Sequence, residues 1–173
     1  MPPLEVIEIL DLQEGMTITD IGSGTGFFAL PFARAVGAEG RIRAVDLQAE
    51  MVEILRSKLS DPGAPSNVTC SQGTAHRTGL PDRSCDLAFL GNLWHELDGH
   101  GRVLEEVARI LRPGGRIAIL DWRKNVSQPP GPPLDHRVES SEVERSLLSR
   151  GWTNIGFCLV GKYSYLVTAS PSG

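Results

Sequence analysis

Two hydrophobic repeats take turns along this chain, and their order predicts its architecture. Short apolar or alternating runs at 17–21, 41–45, 68–71, 86–90 and 116–120 read as strands. Between them the apolar residues fall at helical spacing. Leu4, Ile7 and Leu10 predict an opening helix over 1–15, with Pro2 and Pro3 ahead of it and Gly15 at its end. Phe28, Phe32 and Val36 form a stripe on a helix expected from Thr25 to Val36, where Pro31 predicts a kink or a 3₁₀ turn. Met51, Leu55 and Leu59 mark a third helix. Val103, Leu104, Val107, Ile110 and Leu111 mark a fourth, stopped by Pro113-Gly114-Gly115. Ser141 and Glu144 read as a capping box for a helix carrying Val143, Leu147 and Leu148, closed by Gly151. Ile155 to Val160 and Tyr163 to Thr168, joined by Gly161-Lys162, read as a hairpin. Units of strand and helix followed by a hairpin predict an α/β protein whose sheet is parallel apart from one antiparallel strand.

The pattern is sharpest where the first strand breaks into Gly22-Ser23-Gly24-Thr25-Gly26. Glycines there tolerate φ > 0 and remove the Cβ atoms that would hold a ligand away from the backbone. The first turn of the following helix leaves N–H groups free to face it. Dinucleotide loops read G-x-G-x-x-G, whereas this spacing is shorter and Asp20 precedes it. A pyrophosphate is repelled by such a carboxylate and a sulfonium or ammonium is attracted. The turn therefore suits S-adenosylmethionine better than NAD. Asp46 ends the second strand about 20 residues beyond the glycines, where an acidic side chain reaches ribose hydroxyls in such folds.

Composition narrows the classes of partner. The chain has 173 residues, 40 % of them apolar, enough for one core and so for a single domain over 1–173. A net charge of −4 with no basic run gives no electrostatic reason to bind nucleic acid or an anionic membrane. Cys70, Cys85 and Cys158 are odd in number and lack metal spacing, which predicts neither a disulfide frame nor a metal site. With no apolar run of membrane-spanning length and no charged, apolar leader, the expected location is cytoplasmic.

Four stretches, taken in order, resemble the class I S-adenosylmethionine-dependent methyltransferases, of the small single-domain kind grouped as types 11 and 25. They are Asp20-Ile-Gly-Ser-Gly-Thr-Gly26, Ala44-Val-Asp46-Leu-Gln-Ala-Glu-Met51, Leu80-Pro-Asp-Arg-Ser-Cys-Asp86-Leu-Ala-Phe89 and Leu111-Arg-Pro-Gly-Gly-Arg-Ile-Ala-Ile119. The resemblance implies a Rossmann-like sheet of seven strands, ordered 3-2-1-4-5-7-6, with helices on both faces and the cofactor at the carboxyl ends of strands one, two and four. It implies that Asp20 and the turn of Gly22, Ser23, Gly24, Thr25 and Gly26 face the methionine moiety. Asp46 would bind the ribose, and Leu47 and Met51 would pack on the adenine. Thr74, Ala75 and His76 would border the adenine edge, and Asn92 and Leu93 would lie beneath the methionine. Many relatives carry Asp where this chain has Thr74, which puts the strength of adenine recognition in doubt.

The chemistry implied is methyl transfer to a small-molecule acceptor, without a metal. An imidazole accepts protons at cellular pH, so His95, in the loop after the fourth strand, is the candidate general base; a loop histidine that only lines the pocket is the alternative. His76 and His136 read as an adenine-side contact and a residue of the proline-rich span. Trp94 and Trp122 read as core or pocket walls before substrate stackers, and Asp121 and Lys124, which close the fifth strand within reach of the substrate chamber, as surface residues. Residues 125–138, rich in proline, form either a stiff connector or a lid over the acceptor pocket. A non-catalytic S-adenosylmethionine-binding or partner-binding module and an NAD-dependent oxidoreductase are the competing functions. The pocket-cysteine chemistry by which some relatives methylate arsenite does not fit these cysteines. Quinone-type C-methylation is compatible with the central motifs, though no residue selects it.

Overall fold

The structure, a computed structural model, describes residues 3–126 and 130–172. Its strands are β1 (Thr17–Ile21), β2 (Arg41–Asp46), β3 (Val68–Gln72), β4 (Cys85–Gly91), β5 (Leu111–Trp122), β6 (Thr153–Val160) and β7 (Ser164–Ser170). The helices are α1 (Pro3–Ile9), α2 (Ala29–Ala35), α3 (Ala49–Leu59), α4 (His100–Ile110) and α5 (Ser140–Leu148). All strands join one seven-stranded sheet ordered β3-β2-β1-β4-β5-β7-β6. The strands β1 to β5 pair in parallel, and β7 enters antiparallel to both β5 and β6. The predicted order and the C-terminal hairpin are both present.

Covering both faces of the sheet explains why its inner strands read as continuous apolar runs. In β4, Leu87 and Phe89 face one layer while Ala88 and Leu90 face the other. The first layer holds Val6 and Leu10, Phe28, Phe32 and Val36, and Leu55, with α1, α2 and α3 behind it. The second is built by Val103, Leu104, Val107 and Ile110 of α4 and Val143 and Leu147 of α5. Phe28, Phe32 and Phe89 meet at ring-centroid distances of 4.9 to 5.8 Å just under the glycine turn. Truncating the fully buried Phe32 to Ala would cost roughly 3–5 kcal/mol. The turn therefore rests on rigid aromatic packing.

Local chemistry moved several predicted boundaries. The second helix begins at Ala29, not Thr25, because Gly26 sits at φ +87°, outside helical space. Pro31 then falls in the first helical turn, where its missing N–H would be unpaired in any case, so it causes no kink. Leu111 leaves α4 and pairs with Cys85, so β5 already runs through Pro113-Gly114-Gly115. The α5 cap is Glu139, whose N–H donates to the Glu142 carboxylate at 3.4 Å; the expected Ser141 and Glu144 are not the box. Three residues, 161–163, join β6 to β7 instead of two. The first helix stops at Ile9, short of Gly15, and Val52 with Leu55 forms the buried stripe of α3.

Candidate functional site

The four parallel strands β1 to β4 all end at one edge of the sheet, and a cavity of about 540 Å³ opens there. Eight of the residues singled out in the sequence line it: Gly22 after β1, Asp46 and Leu47 at the tip of β2, Thr74, Ala75 and His76 after β3, and Asn92 and Leu93 after β4. Asp20, Ser23, Gly24, Thr25, Gly26, Met51 and His95 do not. The wall also contains Glu96, Leu97, Asp98 and Arg102, which the sequence reading left out. They come from the 3₁₀ turn Trp94–Glu96 and the start of α4, where no motif announces a role.

Asp46 is nearly buried and organises the glycine turn. Its Oδ2 accepts from the Gly24 N–H at 2.7 Å, and its Oδ1 from the Gln48 N–H at 2.9 Å. Each carboxylate oxygen keeps a further lone pair, so two ligand hydroxyls can still be accepted. The backbone donors of the turn were expected to face a ligand. Instead Gly22 and Ser23 donate to the Val45 carbonyl and Gly26 to that of Ser23, binding the turn to the end of β2. The glycines serve steric fit as well. A Cβ on Gly22 would lie 2.7 Å from Leu93 Cδ2, and one on Gly26 would lie 2.5 Å from Leu55 Cδ1, both at positive φ.

Asp20 departs from its expected place. It is 1 % exposed, behind the turn, and its Oδ2 has no hydrogen-bond partner. Burial above all, with the Asp46 charge adding to it, pushes its carboxyl up from 3.8 to about 7, against the Ala29 N–H that favours the anion. Of the two acids of the sequence motifs, Asp20 and Asp46, only Asp46 lines the cavity. Among the described residues five more buried side-chain atoms lack partners; Thr74 Oγ1 and Asn92 Oδ1 belong to cavity residues, and Thr19 Oγ1, Ser84 Oγ and Ser164 Oγ do not. Asn92 holds the left-handed conformation at φ +57°, which costs a residue with a side chain about 1–2 kcal/mol.

Beside this cavity, His95 is almost enclosed, with 5 % of its side chain exposed. Its Nδ1 lies 2.8 Å from Asp121 Oδ1, and its backbone N–H donates to Asp121 Oδ2 at 2.9 Å. The Asp121 hydrogen bond is the main influence holding the imidazole above its usual 6.5, with burial opposing it. Asp121 was expected at the surface. Its place at the end of β5, under the 3₁₀ turn, leaves it 0 % exposed. Of the predicted wall residues, Trp94 is core and stacks on His100 at 4.2 Å. The described part of the proline-rich span does not line the cavity. It is fastened by buried Arg137, which donates to the carbonyls of Pro130, Pro132 and Arg123 and lies 5.4 Å over the Trp122 ring. Residues 127–129 of the span lie outside the described residues. His136 ends an exposed 3₁₀ turn, Leu134–His136.

Residues 19–119 match the methyltransferase domain family. A crystal structure of a SAM-dependent methyltransferase from Aquifex aeolicus superposes with a TM-score of 0.90 at 34 % identity, covering 96 % of this chain and 88 % of that one. The chain belongs to the class I S-adenosylmethionine-dependent methyltransferases, whose cofactor is S-adenosylmethionine. Among curated relatives, a ubiquinone/menaquinone biosynthesis C-methyltransferase, UbiE, of Idiomarina loihiensis is 33 % identical over 121 residues, 70 % of this chain and 48 % of that protein. The UbiE of Pseudomonas paraeruginosa is 31 % identical over 166 residues, 94 % of this chain and 56 % of that protein. The chain thus spans about half the length of the curated relatives it matches.

Proposed function

We propose that this chain transfers a methyl group from S-adenosylmethionine to a small-molecule acceptor, with His95 as general base. The observation that carries the reading is the cavity of about 540 Å³ at the carboxyl ends of β1, β2 and β4, where the Asp46 carboxylate, with acceptor capacity left over, shares one wall with Gly22, Asn92 and Leu93. Asp46 would accept from the ribose, Leu47 and Ala75 would flank the adenine with His76 at its rim, and Gly22, Asn92 and Leu93 would enclose the methionine end. Met51, in the first turn of α3, lies outside the cavity wall, which leaves the adenine contact to Leu47 and Ala75.

When bound, the cofactor supplies a methyl group made electrophilic by its sulfonium. The protein's own contribution is orientation, worth up to roughly 7–11 kcal/mol in ideal cases, and removal of a proton from the acceptor. The curated relatives' C-methylation in quinone biosynthesis supports an acceptor of small-molecule size, and a quinol-type carbon is one member of that class. All three cysteines are free, in keeping with a cytoplasmic location. Among the described residues no helix is long and apolar enough to cross a membrane. Calorimetry with S-adenosylmethionine and with NAD, followed by detection of S-adenosylhomocysteine released in the presence of a cell-extract metabolite pool, tests this. Binding and turnover are expected. Binding of NAD alone would make the protein an oxidoreductase, and tight binding without turnover a cofactor-binding module.

A further inference from the structure

We propose that Asp121 is the positioning residue for the base, holding the His95 ring by Nδ1 so that Nε2 takes the acceptor's proton. The proposal rests on the methyl-transfer reading and deepens it at the acid that closes β5.

A carboxylate buried at the tip of β5 is costly unless its oxygens are occupied by donors. Asp121 has three: the His95 N–H at 2.9 Å, His95 Nδ1 at 2.8 Å and the Trp122 N–H at 2.7 Å. An ionised carboxylate only accepts, so the proton of this contact sits on Nδ1. That fixes the tautomer and leaves Nε2 with its lone pair free. Nε2 lies 3.6 Å from Glu96 Oε1, too far for a hydrogen bond. The Glu96 side chain is 66 % exposed, and its residue lines the cavity, so it links Nε2 to cavity and solvent. The charged groups around the ring come from three elements. Asp121 on β5 and Glu96 on the 3₁₀ turn favour the imidazolium, and Arg137 in the proline-rich span opposes it.

The step is a proton transfer that balances within this set. The acceptor's bond to hydrogen breaks with its electron pair left on the acceptor, which is thereby freed to attack the methyl carbon. The proton goes to Nε2, and the resulting imidazolium faces the Asp121 carboxylate. After the product leaves, Nε2 gives the proton to solvent and the neutral base is restored. Asp121 touches neither substrate nor cofactor and acts through the ring it holds.

Nitrogen-15 NMR of the histidine rings in the full chain reads this without any acceptor. In the wild type the neutral His95 is expected as the Nδ1–H tautomer, titrating above 6.5. In Asp121→Asn the titration is expected to fall by about one pH unit or more, the scale of losing an adjacent charge. In the extract-pool assay from about pH 6 to about pH 9, the rising limb should move down in pH with it, with S-adenosylmethionine affinity unchanged. An Nε2–H tautomer in the wild type overturns the proposal even if the variant fails to fold. So does a His95 titration that Asp121→Asn leaves in place, or a rate profile that does not follow it. Absence of cofactor binding in every sample would instead sink the methyl-transfer reading, while the tautomer and titration would still decide what Asp121 does to His95.

Discussion

Replacing Asp20 with Asn removes an ionisation that the fold resists. The shape of the side chain is kept, as is an oxygen for the Ala29 N–H. The folded chain holds the Asp20 proton up to about pH 7, whereas the unfolded chain releases it near 3.8. A raised carboxyl gives its most favourable contribution below 3.8, and that contribution is lost as pH rises towards 7. The gap spans about three pH units, and at 1.36 kcal/mol each the loss reaches up to about 4 kcal/mol. Asp46 is the charged group that acts on Asp20 and the rest of the chain is shared, so the difference between the proteins reports the Asp20 ionisation together with its coupling to Asp46. Urea unfolding at steps from about pH 4 to about pH 8 is the assay, with equal m-values showing that the transitions are comparable. The variant is expected to gain on the wild type by up to about 4 kcal/mol across that range, levelling off above pH 7. A difference that stays constant with pH would show that Asp20 ionises in the fold as it does in the unfolded chain, and the buried-carboxyl argument would be wrong.

Other outcomes follow from the same geometry. Asp46→Ala removes the acceptor of the Gly24 and Gln48 N–H groups and the proposed ribose contact, so S-adenosylmethionine affinity should fall by about 1.5–3 kcal/mol in calorimetry. Gly22→Ala adds a Cβ 2.7 Å from Leu93 Cδ2 at φ +73°; it should cost at least about 1–2 kcal/mol in urea unfolding, and cofactor affinity as Leu93 shifts. Arg137→Met removes the donors that bind Pro130 and Pro132 to Arg123, so amide exchange over residues 131–138 should quicken while β1 to β4 stay protected.

What could be read in the sequence was what local pattern encodes. Strand and helix periods, the glycine turn and the acid ending β2 all arise from neighbouring residues, whereas the seven-strand order came from the resemblance to the class I methyltransferases. Eight of the proposed cofactor residues came together because β1 to β4 end at one edge of the sheet. The misreadings arise where packing, or the backbone angle of a single turn residue, overrides the local pattern. Asp121 reads as a polar residue after an apolar strand, and only the turn 26 residues earlier buries it. Arg137 looks like an ordinary surface cation until the folded proline-rich span presents its carbonyls. Asp20 precedes the glycines as a cation-attracting acid should, yet the packing of α2 places it behind the turn. The start of α2 was set by the positive φ of Gly26, a property of the turn and not of the apolar stripe.

The central claim is that the cavity at the ends of β1 to β4 holds an adenosyl ligand against Asp46. Titration of the wild type and Asp46→Ala with S-adenosylhomocysteine and with NAD tests it in one calorimetric series. The account predicts saturable binding of S-adenosylhomocysteine, at least about tenfold weaker in the variant, and no heat from NAD. Equal affinity in both proteins, or saturable binding of NAD, would contradict it.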